Sequence, residues 1–124
     1  MVQAVESEAN MIIAVDFDGC LSLGASYPDI GKPNTELISI LIQLENLGHT
    51  TILWTCREGN ELNEAIDWCA RQGLCFDYVN QNVPWLGFDS RKVVADWYID
   101  DRAVNTLDKT KLRAILHDSR FRQN

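Results

Sequence analysis

The chain has 124 residues, 46% hydrophobic and 23% charged, with a formal net charge of −7. That length supports one hydrophobic core and is short for two domains, and the composition excludes a disordered or collagen-like chain. An acidic chain without a basic run repels phosphate backbones and anionic bilayers, which argues against nucleic-acid and membrane partners, and no apolar run reaches the roughly 20 residues of a membrane-spanning helix.

Residues 1–10 show no apolar period and are expected to be a poorly ordered lead-in, with residues 11–124 forming a single domain. Met11-Ile12-Ile13-Ala14-Val15 is short and continuously apolar, as a strand buried on both faces of a parallel sheet requires, and it stops at Asp16-Phe17-Asp18-Gly19. A loop carrying Gly24, Pro28, Gly31 and Pro33 follows. Asn34 then caps an expected helix whose apolar positions Leu37, Ile38, Leu41, Leu44 and Leu47 keep helical spacing up to Gly48.

Thr50 to Trp54 reads as a second buried strand, followed by Thr55-Cys56-Arg57-Glu58-Gly59 and a helix packing Leu62, Ala65, Ile66 and Cys69. Phe76 to Val79 predicts a third strand, Asn80 to Ser90 a loop, and Trp97-Tyr98-Ile99 a fourth strand ending at Asp100-Asp101. A last helix from about Asp108 should turn Leu112, Ile115 and Leu116 inward. The alternation of strands and helices predicts an α/β fold: a doubly wound parallel sheet in a three-layer α/β/α arrangement, with ligands beyond the carboxyl ends of the strands.

That topology brings Asp16 and Asp18, Thr55, and Asp100 and Asp101 to one edge, with Lys92 shortly before the last strand. Clustered carboxylates repel unless a hard cation neutralises them, so Asp16, Asp18, Asp100 and Asp101 are candidate ligands for Mg2+. In this reading Asp16 attacks phosphorus, and Asp18 protonates the leaving oxygen and then activates water. Thr55, with nearby backbone N–H groups around Cys56 and Arg57, and Lys92 are the expected contacts to the phosphoryl group. Arg57 could grip phosphate or be an exposed residue paired with Glu58 or Glu61, and Arg91 competes with Lys92 as the cation.

VDFDGCL at Val15 to Leu21, ILWT ending at Thr55, Lys92, and YIDD ending at Asp101 resemble, in this order, the four motifs of the haloacid dehalogenase superfamily. The resemblance spans roughly Met11 to Arg102. It implies a Rossmann-like core and a magnesium-dependent phosphatase working through an aspartyl-phosphate. The short segments between motifs imply a capless member, of a kind that acts on bulky or macromolecular phosphates or borrows a lid from a neighbouring subunit. Phosphotransferase, nucleic-acid end phosphatase and non-catalytic binding module are the alternatives. A receiver-type signalling domain has the wrong motif order.

Cys20, Cys56, Cys69 and Cys75 form no C-x-x-C pair and no zinc pattern with histidine, and the sequence opens without a basic, apolar leader, so reduced thiols and a cytoplasmic setting are expected. The cysteines are expected as small hydrophobes outside the site, and His49 and His117 without partners. The apolar segment Pro84-Trp85-Leu86-Gly87-Phe88 suits a wall of the substrate cleft, core packing or a homodimer contact, with the last two favoured. The identity of the phosphorylated substrate is not written in the sequence.

Overall fold

The computed structural model describes residues 10–118. The expected lead-in therefore lies outside the described residues except for Asn10, whose Oδ1 accepts from the Thr50 hydroxyl at 3.3 Å. Strand β1 (Ile12–Val15) is flanked by β4 (Thr50–Leu53) and β6 (Trp97–Ile99), and β5 (Tyr78–Val79) lies beyond β4. All pairings in this four-stranded sheet, order β5-β4-β1-β6, are parallel. Between β1 and the first helix, β2 (Ser22–Leu23) and β3 (Lys32–Pro33) form a small antiparallel hairpin that the turn-rich composition of the segment did not reveal.

Helix α1 (Thr35–Asn46) starts where expected: the Asn34 side chain accepts from the Leu37 N–H at 3.3 Å. It joins β1 to β4, and α2 (Gly59–Arg71) joins β4 to β5. Both crossovers advance in the same direction, and right-handed connections then put both helices on one face of the sheet. Strand alternation decides what each face presents. Ile13, Val15 and Leu53 pack with Ile38 and Leu41 of α1 and with Ala65 and Cys69 of α2. Thr51 also lies on this buried strand, and its polar groups are satisfied: the hydroxyl donates to Glu45 Oε2 at 2.6 Å and the N–H to Asp77 Oδ2 at 2.9 Å.

The opposite face presents Ala14 and Ile52, and here the expected second layer of helices is replaced by irregular chain. Val83 and Val93 close this cluster, with Leu86 against it, on the segment that returns from β5 across the sheet to β6. One 3-10 turn, Pro84–Leu86, interrupts it. The apolar loop is thus divided: Leu86, partly buried, packs against the core, whereas Trp85 and Phe88 stay exposed, Trp85 meeting Tyr78 edge-on at 6.2 Å.

Helix α3 (Lys109–Ile115) is capped by Asp108, which accepts from the Lys111 N–H at 3.1 Å. Its expected inward residues are not buried. Leu112, Ile115 and Leu116 are 38, 44 and 79% exposed, so the apolar stripe is only partly covered. No helix of the described residues is long and apolar enough to cross a membrane.

Candidate active site

The chain leaves β1 toward β4 and β5, then returns to place β6 on the other side of β1. The strand order therefore reverses between β1 and β6, and a crevice opens at their carboxyl ends. Val15 pairs with both Ile99 and Leu53, so the next residues of three neighbouring strands leave the sheet together. Asp16 is held there by its N–H, which donates to the Ile99 carbonyl at 2.9 Å. Asp16, Thr55, Asp100 and Asp101 line a cleft of about 460 Å³ with Asp18, Tyr27, Cys56, Arg57 and Arg102.

Asp16 is half-buried, and burial together with the charge of Asp100 raises its pKa from 3.8 to about 7, against the pull of a hydrogen bond from the Phe17 N–H. Asp101 adds to the rise by sharing a hydrogen bond and by its own charge. Asp101 reaches this position because residue 19 is glycine. With φ at +84° Gly19 occupies left-handed backbone, and a Cβ there would collide with the Asp101 carboxylate.

Contrary to its expected place outside the site, Cys20 stands at its edge: its Sγ, Asp16 and Asp101 place ligand atoms within 4.8 Å of one another. Burial, then the charges of Asp16, Asp101 and Asp100, push its thiol up to about 12, so it sits beside the carboxylates as a neutral thiol. His49 also has a partner, its Nδ1 accepting from the Met11 N–H at 3.0 Å.

The largest departure from expectation is Arg57. It is neither an exposed partner of Glu58 or Glu61 carboxylates nor a free hand for phosphate, but is 1% exposed. Nε and Nη2 donate to the two oxygens of Asp18 at 2.9 and 2.7 Å. Nη2 also donates to the Asp29 carbonyl at 3.0 Å, and Nη1 to the carbonyls of Pro28 and Glu61 at 3.2 and 3.4 Å. A guanidinium has five N–H donors, so none remains for a substrate. The group also lies over the rings of Phe17 and Tyr27, with ring centroids at 4.9 and 5.1 Å. Asp18 in turn accepts one Arg57 bond on each oxygen, and a lone pair on each remains for the cleft.

Thr55 is placed as expected. Its hydroxyl oxygen accepts from the Arg57 N–H at 3.1 Å, which leaves its own O–H as a donor, and its N–H donates to Asn80 Oδ1 at 2.8 Å. Lys92 is not placed as expected: its Nζ lies over the Tyr98 ring at 5.2 Å, and neither it nor Arg91 lines the cleft. Tyr98 is fixed by donating its hydroxyl to the Val93 carbonyl at 2.6 Å, on the face away from the helices. The cation that does line the cleft, besides the fully bonded Arg57, is Arg102. Only its backbone N–H is engaged among the described residues, donating to Asp100 Oδ1 at 2.8 Å. Its position directly after the Asp-Asp pair was the available signal for it.

No family model and no curated protein matches the chain. Among solved structures, a conserved protein from Bacteroides thetaiotaomicron is 40% identical, with a TM-score of 0.69 over 89% of this chain and 92% of that one. The chain belongs to the family of that conserved protein. The shared extent takes in most of the sheet and helices described above, so the α/β architecture is a property of this family, while its chemistry has to be argued from the residues of the cleft.

Proposed function

We propose that this chain is a capless, magnesium-dependent phosphatase of the haloacid dehalogenase type, with Asp16 as its nucleophile. The observation that carries the proposal is the convergence of Asp16, Thr55 and Asp100-Asp101 from three adjacent parallel strand ends on one cleft, in the order of the motifs that resemble that superfamily.

The donor set fits a hard divalent cation. Asp16, Asp100 and Asp101 supply carboxylate oxygens, and their mutual repulsion is what such a cation relieves. When bound there, magnesium would neutralise the carboxylates and favour the charge that develops on the phosphoryl oxygens.

An Asp16 oxygen forms a bond to phosphorus while the bond from phosphorus to the alcohol oxygen breaks, its electron pair leaving with that oxygen, which takes a proton from Asp18. Thr55 O–H and the Arg102 guanidinium donate to the non-bridging oxygens. Water then attacks the aspartyl-phosphate, giving its proton to Asp18, and Asp16 departs as a carboxylate with release of phosphate. Asp18 lines the cleft with its carboxylate oriented by Arg57, which suits both expected roles, acid toward the leaving oxygen and then base toward water.

The loop at the hairpin tip is the sole cover between β1 and α1 among the described residues, which leaves room for a bulky ester or for a lid lent by a second copy. The test is hydrolysis of para-nitrophenyl phosphate by wild type and Asp16→Asn, with magnesium and with excess chelator. Turnover that needs magnesium and vanishes in the variant supports the proposal. Turnover in excess chelator or in Asp16→Asn contradicts it.

A further inference from the structure

The geometry points to Tyr27 as a stacking platform that selects small phosphate esters whose alcohol carries a planar ring, an inference that rests on the phosphatase reading above. Tyr27 lines the same cleft as Asp16 and is 57% exposed. An aromatic ring left in water at the rim of a polar cleft is an apolar surface that a ligand can cover. This ring is not a loose one. One side faces the Arg57 guanidinium at 5.1 Å, and Arg57 is itself buried and fixed by five hydrogen bonds. Two of those bonds hold the carbonyls of Pro28 and Asp29, the residues immediately after Tyr27, so the backbone is pinned beside the ring.

Preorganisation of this kind lowers the ordering cost of binding, because the platform is already in place when the ligand arrives. No other ring lies against Tyr27 among the described residues. A ring borne by the alcohol can stack there while its phosphate reaches Asp16 and Thr55. The net charge of −7 favours a small ester over a polyanion.

The test compares 2-phenylethyl phosphate, a nucleoside 5′-monophosphate and butyl phosphate, all with primary-alkyl leaving groups, on wild type, Tyr27→Phe and Tyr27→Leu. The leucine variant keeps bulk over Arg57, so the fold is not put at risk. Wild type should prefer the ring-bearing esters by roughly 5- to 100-fold in kcat/KM, the range expected of one stacked ring, through a lower KM. Tyr27→Phe should keep the preference and Tyr27→Leu should lose it. A wild type that treats butyl phosphate equally well, or a preference that survives in Tyr27→Leu, overturns the inference. If none of the esters turns over, para-nitrophenyl phosphate decides the phosphatase reading separately, and calorimetric titration with magnesium decides Tyr27: equal affinity for 2-phenylethyl and butyl phosphate overturns its role.

Discussion

Arg57 grips Asp18 through two parallel hydrogen bonds, Nε to Oδ2 at 2.9 Å and Nη2 to Oδ1 at 2.7 Å, with the guanidinium fully buried and the carboxylate partly open to the cleft. This pair ties the turn after β1 to the loop of residues 24–31 through the Pro28 and Asp29 carbonyls. Removing the guanidinium takes their partner from Asp18 and from the Pro28 and Asp29 carbonyls. Arg57→Ala should therefore lower stability by on the order of 3 kcal/mol, read from urea denaturation midpoints. Arg57→Lys should recover only part of it, because an ammonium cannot reproduce the fork. A stability change near zero in Arg57→Ala would show that the pair holds nothing in place.

Asp18, oriented by Arg57 at the edge of the cleft, is placed to give the leaving oxygen a proton. Rates across a series of aryl and alkyl phosphates should therefore depend only weakly on the acidity of the alcohol. A steep fall as the alcohol becomes less acidic would mean that Asp18 delivers no proton and would leave it the role of base alone.

Lys92 and Arg102 exchange places relative to expectation. Arg102→Ala should weaken phosphate binding by roughly 10- to 100-fold, the worth of one charge-assisted contact, whereas Lys92→Ala should change it little. Inhibition by inorganic phosphate measures both. A large effect confined to Lys92→Ala would restore the lysine to the site.

How far the chain announced this structure can be judged from particular residues. The apolar runs of β1 and β4, the Asn34 cap and the polar stops at Asp16, Thr55 and Asp100 were legible, because short-range periodicity and capping chemistry are written locally. The Arg57–Asp18 pair joins residues 39 apart, and nothing local separates a buried, fully bonded arginine from an exposed one. The stripe of Leu112 and Ile115 has the same spacing whether or not a sheet lies beneath it, so burial could not be read from it. Lys92 precedes β6 closely in sequence, yet its path lies along the face where Tyr98 holds it, a tertiary fact. Two-residue strands such as β2 and β3 are too short to carry a period.

The carboxylate cluster makes a signed prediction about pH in the absence of metal. Asp16 has its folded pKa raised from 3.8 to about 7, so between about pH 4 and pH 7 the folded state retains a proton that the unfolded chain has released. The native state then binds more protons, and stability falls as pH rises through this window, levelling above it. Glu45, raised mainly by burial, acts in the same direction. Thermal unfolding in chelator should show this decline, the Asp16→Asn substitution should reduce it, and magnesium should offset it at pH 8. Stability that climbs from pH 4 to pH 7, and that drops when Asp16 is replaced by asparagine, would contradict the cluster as described.

The identity of the nucleophile is tested most directly by trapping the intermediate. Wild-type protein mixed with para-nitrophenyl phosphate and magnesium, quenched in acid within a turnover and digested, should carry a phosphoryl group on the peptide containing Asp16. The Asp16→Asn variant should carry none. A phosphorylated peptide elsewhere in the chain, or turnover with no adduct while phosphate takes its new oxygen from water in a single direct step, would contradict Asp16 as the attacking group.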